Sequence, residues 1–314
     1  MTESRTAAGR TAAGLLLALL AVCGGGCSGS AARGLSQTRL QAMSYNQRGV
    51  EEQAAGNQEA ALSEFQEALR LQGSIENVEG MTVALINIAR TCRLKGDLPG
   101  AQAAIDRGAS LLPDSSPLAS ELFFERAKIA LAKGDLPAAK ASALRGAASE
   151  QGSNLGRRLN LVADILQRQG AGEQALAQAD RALKANREAG SVAEEANSLR
   201  LLGEIQLAMG AHREALASYH AALLLDKDLG LGRRVAADLR GIGSVTAQKG
   251  DAAGAIGFYQ RALEVGRNLG DLEFAARDMA TLSELYRKVG DAPRAAQIEE
   301  ARGALLKGGA LRGP

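Results

Sequence analysis

The stretch Leu199-Arg-Leu-Leu-Gly-Glu-Ile-Gln-Leu-Ala-Met-Gly210-Ala-His-Arg-Glu-Ala-Leu-Ala-Ser-Tyr-His-Ala-Ala-Leu223 decides how this chain folds. Before Gly210, the residues Leu199, Leu202, Gly203 and Gln206 recur at steps of three and four. After it, Ala215, Leu216, Tyr219, Ala222 and Leu223 do the same. Residues so spaced share one face of a helix, so each half predicts a helix with a single packing stripe. Gly210 supplies the left-handed stop between the two. The pattern returns 40 residues on, with Leu239, Ile242, Gly243 and Thr246 before Gly250 and Ala255, Ile256, Tyr259, Ala262 and Leu263 after it.

Working outward, the same breaker punctuates the whole chain. It stands at Gly56-Asn57, Gly96-Asp97, Gly134-Asp135, Gly170-Ala171, Gly210-Ala211, Gly250-Asp251 and Gly290-Asp291, spaced by 40, 38, 36, 40, 40 and 40 residues. Five residues after each Gly comes an Ala: Ala61, Ala101, Ala139, Ala175, Ala215, Ala255 and Ala295. The Asp or Asn after the Gly can cap the second helix by accepting its free N–H groups. Pro99, Pro137 and Pro293 fall in a first turn, where a missing N–H costs nothing. Segments such as Asp226–Gly230 and Arg267–Asp271 occupy the extra length between units.

This arrangement resembles a tetratricopeptide repeat array, of the type with repeats near 40 residues. The family signature sets an aromatic, Leu-Gly and Tyr in the first helix, then Ala, an aromatic and Ala in the second. Tyr45, Gly49, Ala61, Phe65 and Ala68 carry it in the first unit, Leu202, Gly203, Ala215, Tyr219 and Ala222 in the fifth, and Ile242, Gly243, Ala255, Tyr259 and Ala262 in the sixth. The second to fourth units depart from it, with Ile105, Ala143 and Ala179 at the aromatic place. The seventh keeps Tyr286 and Ala295 but has Glu299 there. The resemblance implies an all-α, right-handed superhelical solenoid of about seven helix–turn–helix units over residues 41–307. One helical pair cannot bury its own stripe, so stacked neighbours must share a continuous core. Glu299, Glu300 and Arg302 give the last unit the polar outer face that an end unit needs, and residues 308–314 are expected to form a disordered tail.

Composition agrees. Apolar content comes from Ala and Leu, with no Trp, 4 Tyr, 5 Phe and 6 Pro, which argues against a sandwich or barrel. A formal charge of +2 exerts no net pull toward nucleic acid.

The amino terminus reads as a sorting signal. Arg5 and Arg10 precede an apolar run from Ala12 to Val22, and small residues follow. The run is about half of the roughly 20 residues a membrane span needs. Leu20-Ala-Val-Cys-Gly-Gly-Gly-Cys27-Ser28 resembles a bacterial lipoprotein box, in which a Cys after a small residue is acylated and becomes the first residue. Gly26 precedes Cys27, whereas Val22 precedes Cys23, so Cys27 is the favoured lipidation site and Cys23 the lesser one. Residues 1–26 are thus expected to be a removable signal and 27–40 a lipidated tether. By family analogy Ser28 is compatible with delivery to an outer membrane. One acyl chain holds a protein only marginally, and two hold it stably. Cys92 is then left without a partner, and its place on a packing stripe suits a small core residue.

No catalytic constellation is present: there is no Gly-x-Ser-x-Gly, no His-Glu-x-x-His and no Gly-x-x-x-x-Gly-Lys. His212 and His220 have no third ligand beside them, so no metal, catalytic role or cofactor is expected. What remains is the inner groove. Carrying over the family register gives one column of Asn46, Ile86, Phe124, Asn160, Arg200, Arg240 and Ala280. A turn further on comes a second, of Val50, Arg90, Lys128, Asp164, Glu204, Ser244 and Glu284. The second column runs from basic to acidic. Arg200 and Glu204, four apart, can pair along one helix. The two columns are either an ordinary solvated surface or a cleft for a partner's peptide or helix. In the second case guanidinium and amide groups hold its backbone or carboxylates, and Ile86 or Phe124 offers an apolar contact. The expected partner is a protein of the bacterial cell envelope, bound by a membrane-anchored adaptor or by a docking regulator of an envelope enzyme.

Overall fold

The computed structural model describes residues 35–113, 115–150 and 152–310. The expected signal and most of the tether, including Cys23, Cys27 and Ser28, lie outside the described residues, as do residues 311–314. The described residues form helices and turns without a strand. The helices are α1 (Gln37–Ala55), α2 (Gln58–Ser74), α3 (Val78–Leu94), α4 (Leu98–Leu111), α5 (Ala119–Ala132), α6 (Leu136–Ala148) and α7 (Leu155–Arg168). They continue with α8 (Gly172–Glu188), α9 (Val192–Ala208), α10 (His212–Asp228), α11 (Gly232–Gln248), α12 (Ala252–Asn268), α13 (Leu272–Lys288) and α14 (Ala292–Ala310). Consecutive helices pair into seven units.

All seven breaker glycines adopt left-handed conformations, with φ between 76° and 90°. Asp97, Asp135, Asp251 and Asp291 each accept a backbone N–H three residues on, at 2.7–3.1 Å. Asn57 does not cap; its side chain bonds Glu52 at 2.8 Å instead. The extra length between units is helix rather than loop, because α10 runs through Asp228 and α12 through Asn268. A second series of left-handed glycines, Gly190, Gly230 and Gly270 with φ of 65–69°, turns one unit into the next. The helical body also exceeds the expected 41–307. Residues 37–40 belong to α1, which Ser36 caps by accepting the Arg39 N–H at 3.3 Å, and α14 carries on through 308–310.

The seven alanines of the second helices are 0–1 % exposed, so they mark the seam of the stack. Next to them a size rule explains the units without an aromatic. Where the second helix offers Phe65, Tyr219 or Tyr259, the first offers Gly49, Gly203 or Gly243. A Cβ added there would stand 2.5, 2.9 and 2.8 Å from the ring. Where it offers Ile105, Ala143 or Ala179, the first helix carries buried Ala89, Ala127 or Ala163. Gly thus leaves room where a ring must fit, and Ala stands where the second helix carries Ile or Ala and no ring needs the space.

Among the described residues, each helix packs on its neighbours in sequence, α1, α3, α5, α7 and α9 also touch the next odd-numbered helix, and α11 reaches α13 through the Arg240–Asp278 pair. Even-numbered helices do not touch one another. The odd-numbered helices therefore crowd together and form the inner, concave layer, which carries both columns of groove positions.

Candidate functional site

The polar residues of the inner layer are bonded mainly to one another, across units. Asn87 Nδ2 donates to Asn46 Oδ1 at 2.9 Å. Arg90 donates to Glu125 at 2.8 Å and to Glu121 at 2.7 Å. Buried Arg158 donates to Glu121, to Ser120 Oγ at 2.9 Å and to Glu150 at 3.2 Å. Ser198 Oγ lies 3.0 Å from Asn160 Oδ1. Arg200 reaches Asp226 and, at 2.7 Å, Asp238; Arg240 grips Asp278 at 2.5 and 3.0 Å. Four of these rungs, Ser120–Arg158, Asn160–Ser198, Arg200–Asp238 and Arg240–Asp278, join residues 38 apart.

This corrects the expectation that Arg90, Arg200 and Arg240 await a ligand's carboxylates. Their guanidinium groups already hold buried acids of this chain. Arg200 bonds Asn197 on its own helix as well as Asp226 and Asp238, and no hydrogen bond ties it to Glu204, whose carboxyl its charge still lowers. Ile86 is buried and offers no open apolar contact. Glu284 is exposed on α13, and no bond ties it to the others.

Six of the nine expected groove residues do come together. Phe124, Lys128, Asn160, Asp164, Arg200 and Glu204 line one cavity of about 330 Å³ across α5, α7 and α9, with Arg157, Glu194 and Asn197 at its wall. Phe124 forms a floor under cations: the guanidinium carbons of Arg157 and Arg158 lie 4.2 and 4.4 Å from its ring centre and Lys128 Nζ 5.3 Å. Such contacts are each worth about 0.5–2 kcal/mol, the more as water is excluded.

The electrostatics of this cavity are uneven. Burial lowers the Lys128 ammonium to about 8, and the charges of Arg93, Arg157 and Arg90 add to the fall against the pull of Glu125. Burial likewise lowers Arg157, against the pull of Glu121. Burial raises Glu121, yet Arg158, Arg157 and Arg90 outweigh it and bring the carboxyl to about 2. On the other wall Glu204 reaches solvent, yet the crowding walls raise its carboxyl against the pull of Arg200 and Arg168, and the Asp164 charge adds to the rise. Asp164 itself bonds Arg168 at 2.9 Å.

Asp226 and Asp238, which sequence reasoning missed, form the most unusual pair. Both are fully buried and they share one guanidinium. The two carboxyls lie within hydrogen-bond reach of each other, and each leaves one oxygen buried without a donor. One proton held by the pair supplies the missing donor. Burial accordingly raises both, Asp238 to about 7.

Cys92 is free and buried, and burial raises its thiol. His212 Nε2 meets Gln248 at 3.3 Å, and His220 is exposed. Among the described residues, no group of three or more His, Cys, Asp or Glu could hold a metal, and no helix is long and apolar enough to cross a membrane.

Neither a family model nor a curated protein sequence matches the chain. Solved structures do. The chain is similar to a Rap protein complexed with competence and sporulation factor, at 14 % identity and a TM-score of 0.64, covering 85 % of this chain and 76 % of that one. It is similar to the apo form of the quorum sensor NprR from B. thuringiensis, at 14 % identity and a TM-score of 0.60, over 86 % and 78 %. A signal-transduction ATPase with a tetratricopeptide repeat sensor from Pyrococcus horikoshii matches at 16 % and 0.67, over 86 % of this chain and 43 % of that one. The fold is a tetratricopeptide-type solenoid of seven helical pairs.

Proposed function

We propose that this chain is a lipid-anchored adaptor of the bacterial cell envelope, which seats a segment of a partner protein on its concave face. The observation that carries this reading is the convergence of Phe124, Lys128, Asn160, Asp164 and Glu204 on one cavity of the inner layer. A solenoid presents such a face as an extended binding surface. The Rap structure, solved with competence and sporulation factor, lends support by analogy of fold. The envelope location rests on the sequence alone, through Arg5, Arg10, the apolar run and Cys27. No enzymatic role is proposed, because the buried acids are engaged with arginines rather than poised over an open site. A docking regulator of an envelope enzyme would use the same face and differ only in what it binds.

Two experiments test the two halves of the proposal. Cys27→Ala should abolish incorporation of a labelled fatty acid and move the protein from the membrane to the soluble fraction. Labelling that persists would shift the anchor to Cys23, and its absence from the unaltered chain would remove the anchor altogether. For the docking half, a photo-crosslinker placed at Asp164 should capture a defined envelope protein in cells. The same probe at Lys184, on the outer helix α8, should not. Equal capture from both positions would return the concave face to ordinary solvated surface.

A further inference from the structure

The cavity across α5, α7 and α9 has two walls of opposite character. On the α5 side, Arg90, Arg93, Lys128, Arg157 and Arg158 surround only Glu121, Glu125 and Glu150. Five cations face three carboxylates there. Arg90 and Arg158 are each held by two of the acids, whereas Arg157 has one long contact, 3.7 Å to Glu121. Lys128 has the Phe124 ring for company and no bonded carboxylate. On the α9 side, among the described residues, Glu204 has no ion-pair partner: the nearby Arg200 draws on it but is bonded to Asp226 and Asp238, and Asp164, of the same sign, pairs with Arg168. Between the walls stands Asn160, 5 % exposed, whose Oδ1 accepts from Ser198 while its Nδ2 is buried without an acceptor. Asn160 Nδ2 is the one such atom among the lining residues, and a ligand acceptor placed there would complete it.

Register fixes how the walls are arranged. Lys128, Asp164 and Glu204 occupy one level on three successive inner helices, so the positive and negative ends lie across the groove, two helix spacings apart. Lys128 on α5 and Glu204 on α9 nevertheless line the same cavity over α7. The gap left suits a short molecule with opposite charges at its ends. At about 330 Å³ the cavity lies at the small end of the ~300–1,000 Å³ typical of ligand sites.

We propose that this cavity binds a small zwitterion of amino-acid to dipeptide size. Its carboxylate meets Lys128, Arg157 and Asn160 Nδ2, and its ammonium meets Glu204 beside Asp164. Each end brings the charge its wall lacks, and the ligand's chain rests over Phe124 and Leu161. This goes beyond partner docking, since it needs no second protein and is tested on the purified chain alone.

The full-length chain would be incubated with a mixed library of unblocked L-amino acids and dipeptides. Retained compounds would be identified by mass spectrometry after rapid gel filtration. The strongest would then be titrated calorimetrically beside its N-acetyl and C-amide forms. At least one compound should be retained, and blocking either end should weaken it tenfold or more. Lys128→Met should weaken the free-carboxylate form at least tenfold and leave the already weak C-amide unchanged; Glu204→Gln should do the same with respect to the N-acetyl form. Circular dichroism checks that each variant keeps its helices. Retention of nothing overturns the proposal, as does a ligand indifferent to both blocking groups. Sensitivity to one end alone overturns it too, by reducing the cavity to a simple anion or cation site.

Discussion

Arg200→Met should destabilise the middle of the solenoid by about 3–5 kcal/mol at neutral pH, the usual cost of stranding buried charge. Among the described residues, Arg200 is the only cation bonded to Asp226 and Asp238, both fully buried, with the Arg234 charge also near Asp226. Met matches much of its length but brings no charge, so both carboxyls must take up protons or remain ionised in an apolar wall. The effect carries a pH signature with a definite sign. In the unaltered chain the pair's raised pKa means that the folded state holds a proton the unfolded state releases. The stability this provides is complete below the ordinary Asp range and is lost as pH rises toward about 7. One extra bound proton corresponds to about 1.4 kcal/mol per pH unit. Urea midpoints at pH 5, 6 and 7 should therefore decline, about twice as steeply in Arg200→Met, where two protons are held. Asp238→Asn should flatten the decline. That window lies above the range of Glu121 and below that of Lys128, so neither confuses the comparison. Equal slopes in all three proteins would mean that the pair is ionised throughout.

Phe65→Ala should cost about 3–5 kcal/mol, and the loss should be local. Phe65 is 0 % exposed and packs on the bare backbone of Gly49, with Leu85, Ile86 and Ala89 in the same cluster. Removing the ring leaves a void that Gly49 cannot fill. Because α1 and α2 touch only each other and α3 among the described helices, nothing distant compensates. Hydrogen exchange should show α1 and α2 opening while α9 to α13 keep their protection. Loss of protection along the whole chain would show that the stack melts as one body.

The fold was legible because its signals are local and repeated. A left-handed glycine, a capping Asp and an Ala five residues on are each short-range statements, and seven copies remove the ambiguity of any one. The segments holding Gly230 and Gly270 read on sequence as spacers between units, although the residues before these glycines continue the helical period. The site was half legible. Register placed the right positions on the inner layer and gathered six of them at one cavity. It did not reveal that Arg90, Arg200 and Arg240 spend their donors on acids of the next unit, since that depends on which way a long side chain leans. A clue was available in the 38-residue interval from Arg200 to Asp238, repeated from Arg240 to Asp278. Asp226 gave none, because on sequence it looks like any polar residue near a helix end.

The rungs that link one helical pair to the next also bear on how such a chain can evolve. The apolar seam is nearly the same in every unit, so by packing alone the units could be shuffled, copied or lost. The polar rungs narrow that freedom, since only like rungs such as Arg200–Asp238 and Arg240–Asp278 can stand in for one another. Removing residues 196–235 would keep the seam in phase but set Asp238 opposite Asn160, with neither Arg200 nor Asp226 remaining to complete its bonds. Order along the array is thus written in paired polar residues, like matched keys and locks. A duplicated unit would enter the lineage only where both of its flanks found their complements.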